Sequence, residues 1–274
     1  MDKNKIYVKP SYYKGRYDKI YKKEDPWGAY SNEIKKLRDV FTLDLIKNKS
    51  FNFVIDLGCG EGHLTEKISH YAKKVLGIDF SKKAIERAQD RYPHISFVED
   101  DIKRVEIKKY GNNIDLICLL SIICPFNPEE KIRLIENVNR ALSQEGYILV
   151  NTRIVSNKEP LSFKEYYDFD SLDALLNFLK PYFEIKELRA VEAEVGYDLL
   201  VLPRREYDQW SNKIKKMIYF FLIHGTTCFL RKKKLARLVL INFLLKFRIM
   251  REILRPQIFY WAVLARKRRN YEPN

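Results

Sequence analysis

Residues 54–65 read VIDLGCGEGHLT: an apolar run ends in Asp56 and is followed by Gly58, Gly60 and Gly62. Ordering a glycine costs conformational entropy, so such a cluster needs a compensating role. Placed behind a strand and ahead of a helix, these glycines let a ligand approach the backbone and meet the free N–H groups of the helix start. The pattern alone does not choose the ligand, because phosphates, dinucleotides and plain tight turns share it. The lysine of a triphosphate-binding loop is absent, which disfavours a nucleoside triphosphate.

Working outward, apolar strands are predicted at 53–57, 75–79, 95–99, 114–119 and 147–152. Helices are predicted at 62–71, 81–91 and 128–142, and ahead of the first strand at 32–48, where Ile34, Leu37, Val40, Phe41 and Leu45 recur at three- and four-residue spacing. Strict strand–helix alternation implies an α/β fold, a doubly wound, largely parallel sheet covered on both faces. Ligands of such sheets bind outside the carboxyl ends of the strands.

Two further strand ends carry acids. VLGIDFS ends in Asp79, about twenty residues past the glycines, where a carboxylate can accept both hydroxyls of a ribose. ISFVEDDI offers Asp101 for an exocyclic amine and the Ile102 N–H for a ring nitrogen, while Asp100 is assigned no role. Together these residues resemble the class I S-adenosylmethionine-dependent methyltransferases over roughly residues 17–152. DPWGAYSNEIKKLR, ahead of the first strand, is similar to the entry segment of nodulation-type N-methyltransferases, and the chain departs from them in the length of that segment and beyond Val155.

The resemblance implies a methyltransferase with S-adenosylmethionine as cofactor. Asp56, Gly58, Gly60 and Gly62 would hold its methionine part, Asp79 the ribose, and Asp101 with Ile102 the adenine. Leu120 and Ser121 would line the sulfonium and acceptor side. His63 could face cofactor or solvent, and no residue stands out as a base. The resemblance also implies a seven-stranded sheet whose last strand runs antiparallel between the fifth and sixth. The wholly apolar stretch 258–265 suits that flanked position better than 197–202, which carries a charge, and 183–191 then supplies the sixth strand.

Tyr12, Tyr13, Tyr17, Tyr21, Trp27 and Tyr30 crowd the first thirty residues, poor in aliphatic partners. They read either as a lid, since aromatic faces attract a cationic sulfur, or as an anchor for the arm; Trp27 and Tyr30 are the better placed for a lid. The remaining histidines are isolated. Cys59, Cys118, Cys124 and Cys228 lack ligand-like spacing, so no metal site or disulfide framework is expected. The polar start MDKNKIYVKP is unlike a signal peptide, which suggests a cytoplasmic protein or one on a membrane facing the cytosol.

Net charge is +15, and its location matters more than its size. From Pro203 onward there are 18 Lys and Arg against 4 Asp and Glu, while the first 202 residues carry 33 against 32. The basic part contains apolar runs interrupted by cations, too short to span a bilayer. It reads as a peripheral membrane surface, as a packed or homodimer-forming helical face, or, less well, as a nucleic-acid contact. The expected organisation is an arm or lid at 1–33, a core at 34–202 and 257–274, and a basic helical insertion at 203–256. The acceptor is expected to be a small molecule, a glycan or a lipid-linked group. A non-catalytic cofactor-binding scaffold is the alternative, and the tetrapeptide of adenine methyltransferases is absent after the fourth strand.

Overall fold

The computed structural model describes residue 17 and residues 19–154, 168–193 and 258–268. In chain order these form α1 (Glu33–Leu43), β1 (Phe51–Leu57), α2 (His63–Ser69), β2 (Ala72–Asp79), α3 (Lys82–Arg91), β3 (Ser96–Glu99), a 3-10 turn (Ile107–Tyr110), β4 (Ile114–Leu120), α4 (Pro128–Ala141), β5 (Leu142–Arg153), α5 (Leu172–Leu179), β6 (Phe183–Ala193) and β7 (Ile258–Lys267).

One seven-stranded sheet runs β3-β2-β1-β4-β5-β7-β6. The first five strands are parallel, with Asp56 beside Gly77 and Cys118, and Leu119 beside Val150. β7 pairs antiparallel with both neighbours, Ile148 facing Ala265 and Leu188 facing Val263. Its apolar sequence suits a strand flanked on both sides, and Trp261 to Ala265 are all buried. The competing stretch 197–202 and the insertion 203–256 lie outside the described residues. β6 forms the far edge, where Glu184, Lys186, Glu187 and Arg189 place charge against strand addition.

Alternation along the strands splits the core in two. Phe53, Ile55 and Leu57 join Ile117, Leu119, Ile148 and Val150 on one face, covered by α4 and α5. Val54, Leu116, Cys118 and Leu149 point to the other, covered by α1, α2 and α3. Helix starts are chemically marked. Ser81 accepts from the Ala84 N–H, and Asn127 with Glu130 forms a reciprocal capping box ahead of Pro128.

The helix before the first strand is shorter than its periodicity suggests, ending at Leu43, and Val40 is exposed although it was expected on the apolar face. Phe41 and Leu37 already fill the contact with the sheet. The 3-10 turn and α5 had no counterpart in the sequence reading.

Candidate cofactor and acceptor site

β1 ends against β2, and the chain leaving it is tied there: the Gly58 and Cys59 N–H groups both donate to the Ile78 carbonyl, at 2.7 and 3.1 Å. Gly58, Gly60 and Gly62 all have left-handed φ, near 75°, 55° and 78°. Their roles differ. A Cβ on Gly58 would sit 2.4 Å from Ile122, and one on Gly62 would sit 2.8 Å from the Phe97 ring. Both are therefore held by close packing inside the protein as well as by φ. Only at Gly60 does the missing Cβ face the arm, with the Tyr21 hydroxyl 3.0 Å away as nearest neighbour.

Asp79, at the end of β2, lies over the same turn. Its Oδ2 accepts from the Gly60 N–H at 3.0 Å and its Oδ1 from the Ser81 N–H at 2.9 Å. Burial pushes its carboxyl up to about 6, the backbone amides of Ser81, Gly60 and Phe80 opposing that shift. A carboxylate offers about four acceptor directions, so both oxygens keep capacity for a diol. Asp56 is spent differently. It is buried, accepts from the Thr65 hydroxyl at 2.6 Å, and so braces the first turn of α2 from below. Burial takes its carboxyl to about 7, with Thr65 opposing and the Asp79 charge reinforcing the shift.

Past β3, Asp101 is partly exposed, accepting from the Lys103 N–H at 3.0 Å, while Ile102 is buried in the core. Asp100 accepts from Tyr110 and Lys109 and so belongs to a local brace. Leu120 is buried at the end of β4, and Ser121, exposed with φ near 61°, begins the loop whose Ile122 packs on Gly58.

The arm crosses this end of the sheet. Tyr21 is buried, its hydroxyl accepting from the Trp27 indole N–H at 3.1 Å, and Tyr17 meets Phe80 edge-on at 5.4 Å. Trp27 itself is 42% exposed. Glu61, inside the glycine turn, holds the arm: it accepts from Arg87 at 2.6 Å and from the Asp25 N–H at 3.3 Å, and Arg87 also donates to the Lys23 carbonyl. Tyr30 lies aside, bonded to Arg91 and Tyr92, with its ring against His63. The His63 Nε2 lies 3.5 Å from Asp39 of α1.

Of the aromatics considered for a lid, among which Trp27 and Tyr30 are the better placed in sequence, Tyr21 is the one whose hydroxyl lies over Gly60. Sequence reasoning missed the buried Asn151 and Thr42, which stand behind Ser121. Neither belongs to a motif, and their only signal is a polar residue in an apolar strand or helix face. The residues suit S-adenosylmethionine: a carboxylate with spare acceptor capacity, a glycine beside it whose missing Cβ faces only the Tyr21 side chain of the arm, and an exposed hydroxyl past the neighbouring strand.

Residues 54–146, about a third of the chain, match the family model of a methyltransferase domain. An uncharacterized methyltransferase of Alkaliphilus oremlandii is 26% identical over 167 residues, covering 60% of this chain and 76% of that protein. Among solved structures, the N-methyltransferase NodS of Bradyrhizobium japonicum, in complex with S-adenosylhomocysteine, superposes with a TM-score of 0.57 at 19% identity, over 66% of this chain and 90% of that one. Phosphoethanolamine N-methyltransferase 1 of Haemonchus contortus, in complex with phosphoethanolamine and S-adenosylhomocysteine, does so at 0.59 and 14%, over 96% of this chain and 50% of that one. Residues 54–146 thus match a methyltransferase domain, and the sheet they belong to has the fold of the NodS N-methyltransferase.

Proposed function

We propose that the chain methylates the nitrogen of a small, amine-bearing acceptor, free or carried on a glycan or lipid. The observation that carries the cofactor half is Asp79, fixed by the Gly60 and Ser81 amides with acceptor capacity to spare. The acceptor half draws support from two structural neighbours whose names specify N-methylation.

When bound, S-adenosylmethionine supplies an electrophilic methyl group on a cationic sulfur. Asp79 would take the ribose hydroxyls, Gly60 would allow close approach, Asp101 and the Ile102 N–H would meet the adenine, and Asp56 would keep the turn and α2 in place. Leu120 and Ser121 would border the acceptor. Tyr21 and Trp27 would shield the site from water, with residues 1–33 as lid. Because an in-line displacement profits chiefly from orientation, such a site needs little beyond rigid placement. We further propose that residues 203–256 form a basic insertion that meets an anionic membrane surface.

Titration with S-adenosylhomocysteine tests the reading. Asp79→Ala should weaken binding by about 1.5–3 kcal/mol, the cost of removing a charged hydrogen-bond partner. Transfer of labelled methyl to glucosamine oligomers and phosphoethanolamine, against their hydroxyl analogues, then tests the acceptor. Binding without transfer to any amine would favour a scaffold, and no binding would overturn the assignment.

A further inference from the structure

Behind Ser121 runs a chain of three hydrogen bonds that crosses from the sheet to α1. The Ser121 hydroxyl donates to Asn151 Oδ1 at 2.8 Å, Asn151 Nδ2 donates to Thr42 Oγ1 at 3.0 Å, and the Thr42 hydroxyl donates to the Arg38 carbonyl at 2.8 Å. Asn151 and Thr42 are buried, at 1% and 0% exposure, and Ser121 is exposed. The Ser121 N–H also donates to the Asn151 carbonyl at 2.9 Å, which fixes the two strand ends together.

The chain has a direction. It ends on a backbone carbonyl, which can only accept, so the Thr42 proton points to Arg38 and its oxygen must receive. Asn151 therefore turns its NH2 to Thr42 and its oxygen to Ser121. Turned the other way, the amide would require Thr42 to abandon Arg38, leaving two bonds in place of three. Ser121 is thus left with its proton directed inward and its lone pairs directed outward.

We propose that Thr42 and Asn151 are positioning residues that make Ser121 a one-way hydrogen-bond acceptor for an N–H of the methyl acceptor; this rests on the cofactor site proposed above. The same polarity limits the chemistry. Neither an amide oxygen nor a backbone carbonyl takes up a proton at neutral pH, so the chain orients a donor without deprotonating it. A neutral amine needs no more. Its nitrogen lone pair forms the N–C bond while the C–S pair departs to sulfur, giving an ammonium that later yields its proton to water. An alcohol must shed its proton as it attacks, and this chain offers no base for it.

Sinefungin, which carries C–NH3+ where the cofactor carries S–CH3, probes the acceptor side without needing the natural substrate. Its affinity is compared with that of S-adenosylhomocysteine, which lacks a donor there, in wild type, Ser121→Ala, Thr42→Val and Thr42→Ser. Wild type should prefer sinefungin. Ser121→Ala should cut that preference, read as the ratio of the two affinities, on the order of tenfold, as expected for a lost charged hydrogen bond. Thr42→Val, which frees the amide to turn, should lose part of it, and Thr42→Ser should restore it. A preference that survives both Ser121→Ala and Thr42→Val overturns the proposal. Failure of every form to bind S-adenosylhomocysteine overturns the cofactor assignment itself, and the inference with it.

Discussion

Asp56 and Asp79 show how burial gives two neighbouring carboxyls a pH-dependent role in stability. In the unfolded chain the Asp56 carboxyl ionises in the ordinary carboxylate range, whereas in the folded protein burial takes it to about 7. Between those values the folded state holds the extra proton, so stability falls as pH rises through the window and is lowest above it. The cofactor-free protein should therefore unfold at a higher temperature at pH 5.5 than at pH 8, and Asp56→Asn should flatten the difference. The expected size is on the order of 2–4 kcal/mol, measured by thermal or urea unfolding across that range. An unchanged pH slope in Asp56→Asn would show that Asp56 is not the group responsible. Asp56 and Asp79 were legible in the sequence because each closes an apolar strand. The division of labour among the glycines was not, since it depends on Ile122 and Phe97, which reach the turn only after the sheet has formed.

At the scale of elements, the Glu61 carboxylate ties the arm to α3, accepting from Arg87, Arg91 and the Asp25 N–H. Glu61→Gln should keep the fold yet loosen residues 22–31, because the charge-assisted contacts that tie them to α3 weaken. Proteolysis there should quicken about tenfold or more, in line with the loss of about 1.5–3 kcal/mol of local stability. Unaltered cleavage would mean that Tyr17, Tyr21 and Trp27 suffice to hold the arm. The strands through β5 could be read from apolar runs and the caps from Ser81 and Asn127. Val40 misled because it shares the spacing of its buried neighbours while a helix has only one face against the sheet. Glu61 drew no notice because its partners come from α3 and the arm, distant in sequence and joined only by the fold.

For the whole molecule, the uneven charge sets the clearest expectation. Residues from Pro203 onward carry 18 cations against 4 anions, interleaved with long aliphatic side chains. Each cation near an anionic bilayer contributes on the order of 1 kcal/mol, and apolar burial adds a part that salt does not screen. The protein should sediment with anionic but not neutral vesicles, and salt should weaken this binding without abolishing it. Collapse with salt alongside a strong duplex shift would favour nucleic acid, and elution as a stable dimer indifferent to both would make the segment an oligomer interface. Among the described residues no helix is long and apolar enough to cross a membrane. The resemblance supplied the position of the last strand between two neighbours, and the stretch that fills it was readable because a flanked strand is apolar, as 258–265 is.

That placement also orders events on the ribosome. β6 has β7 as its strand neighbour and β5 needs β7 to cover its outer side, yet residues 258–267 are translated after both. The nascent chain therefore emerges with the glycine turn, Asp79 and Ser121 already encoded on the parallel half, while β5 still presents an open hydrogen-bonding edge. Until the last strand arrives, that edge can recruit β-structure from other chains, and its closure must bring together strands that residues 194–257 separate in sequence. Synthesis rate and chaperone occupancy over residues 194–257 thus set how long the half-built sheet remains sticky.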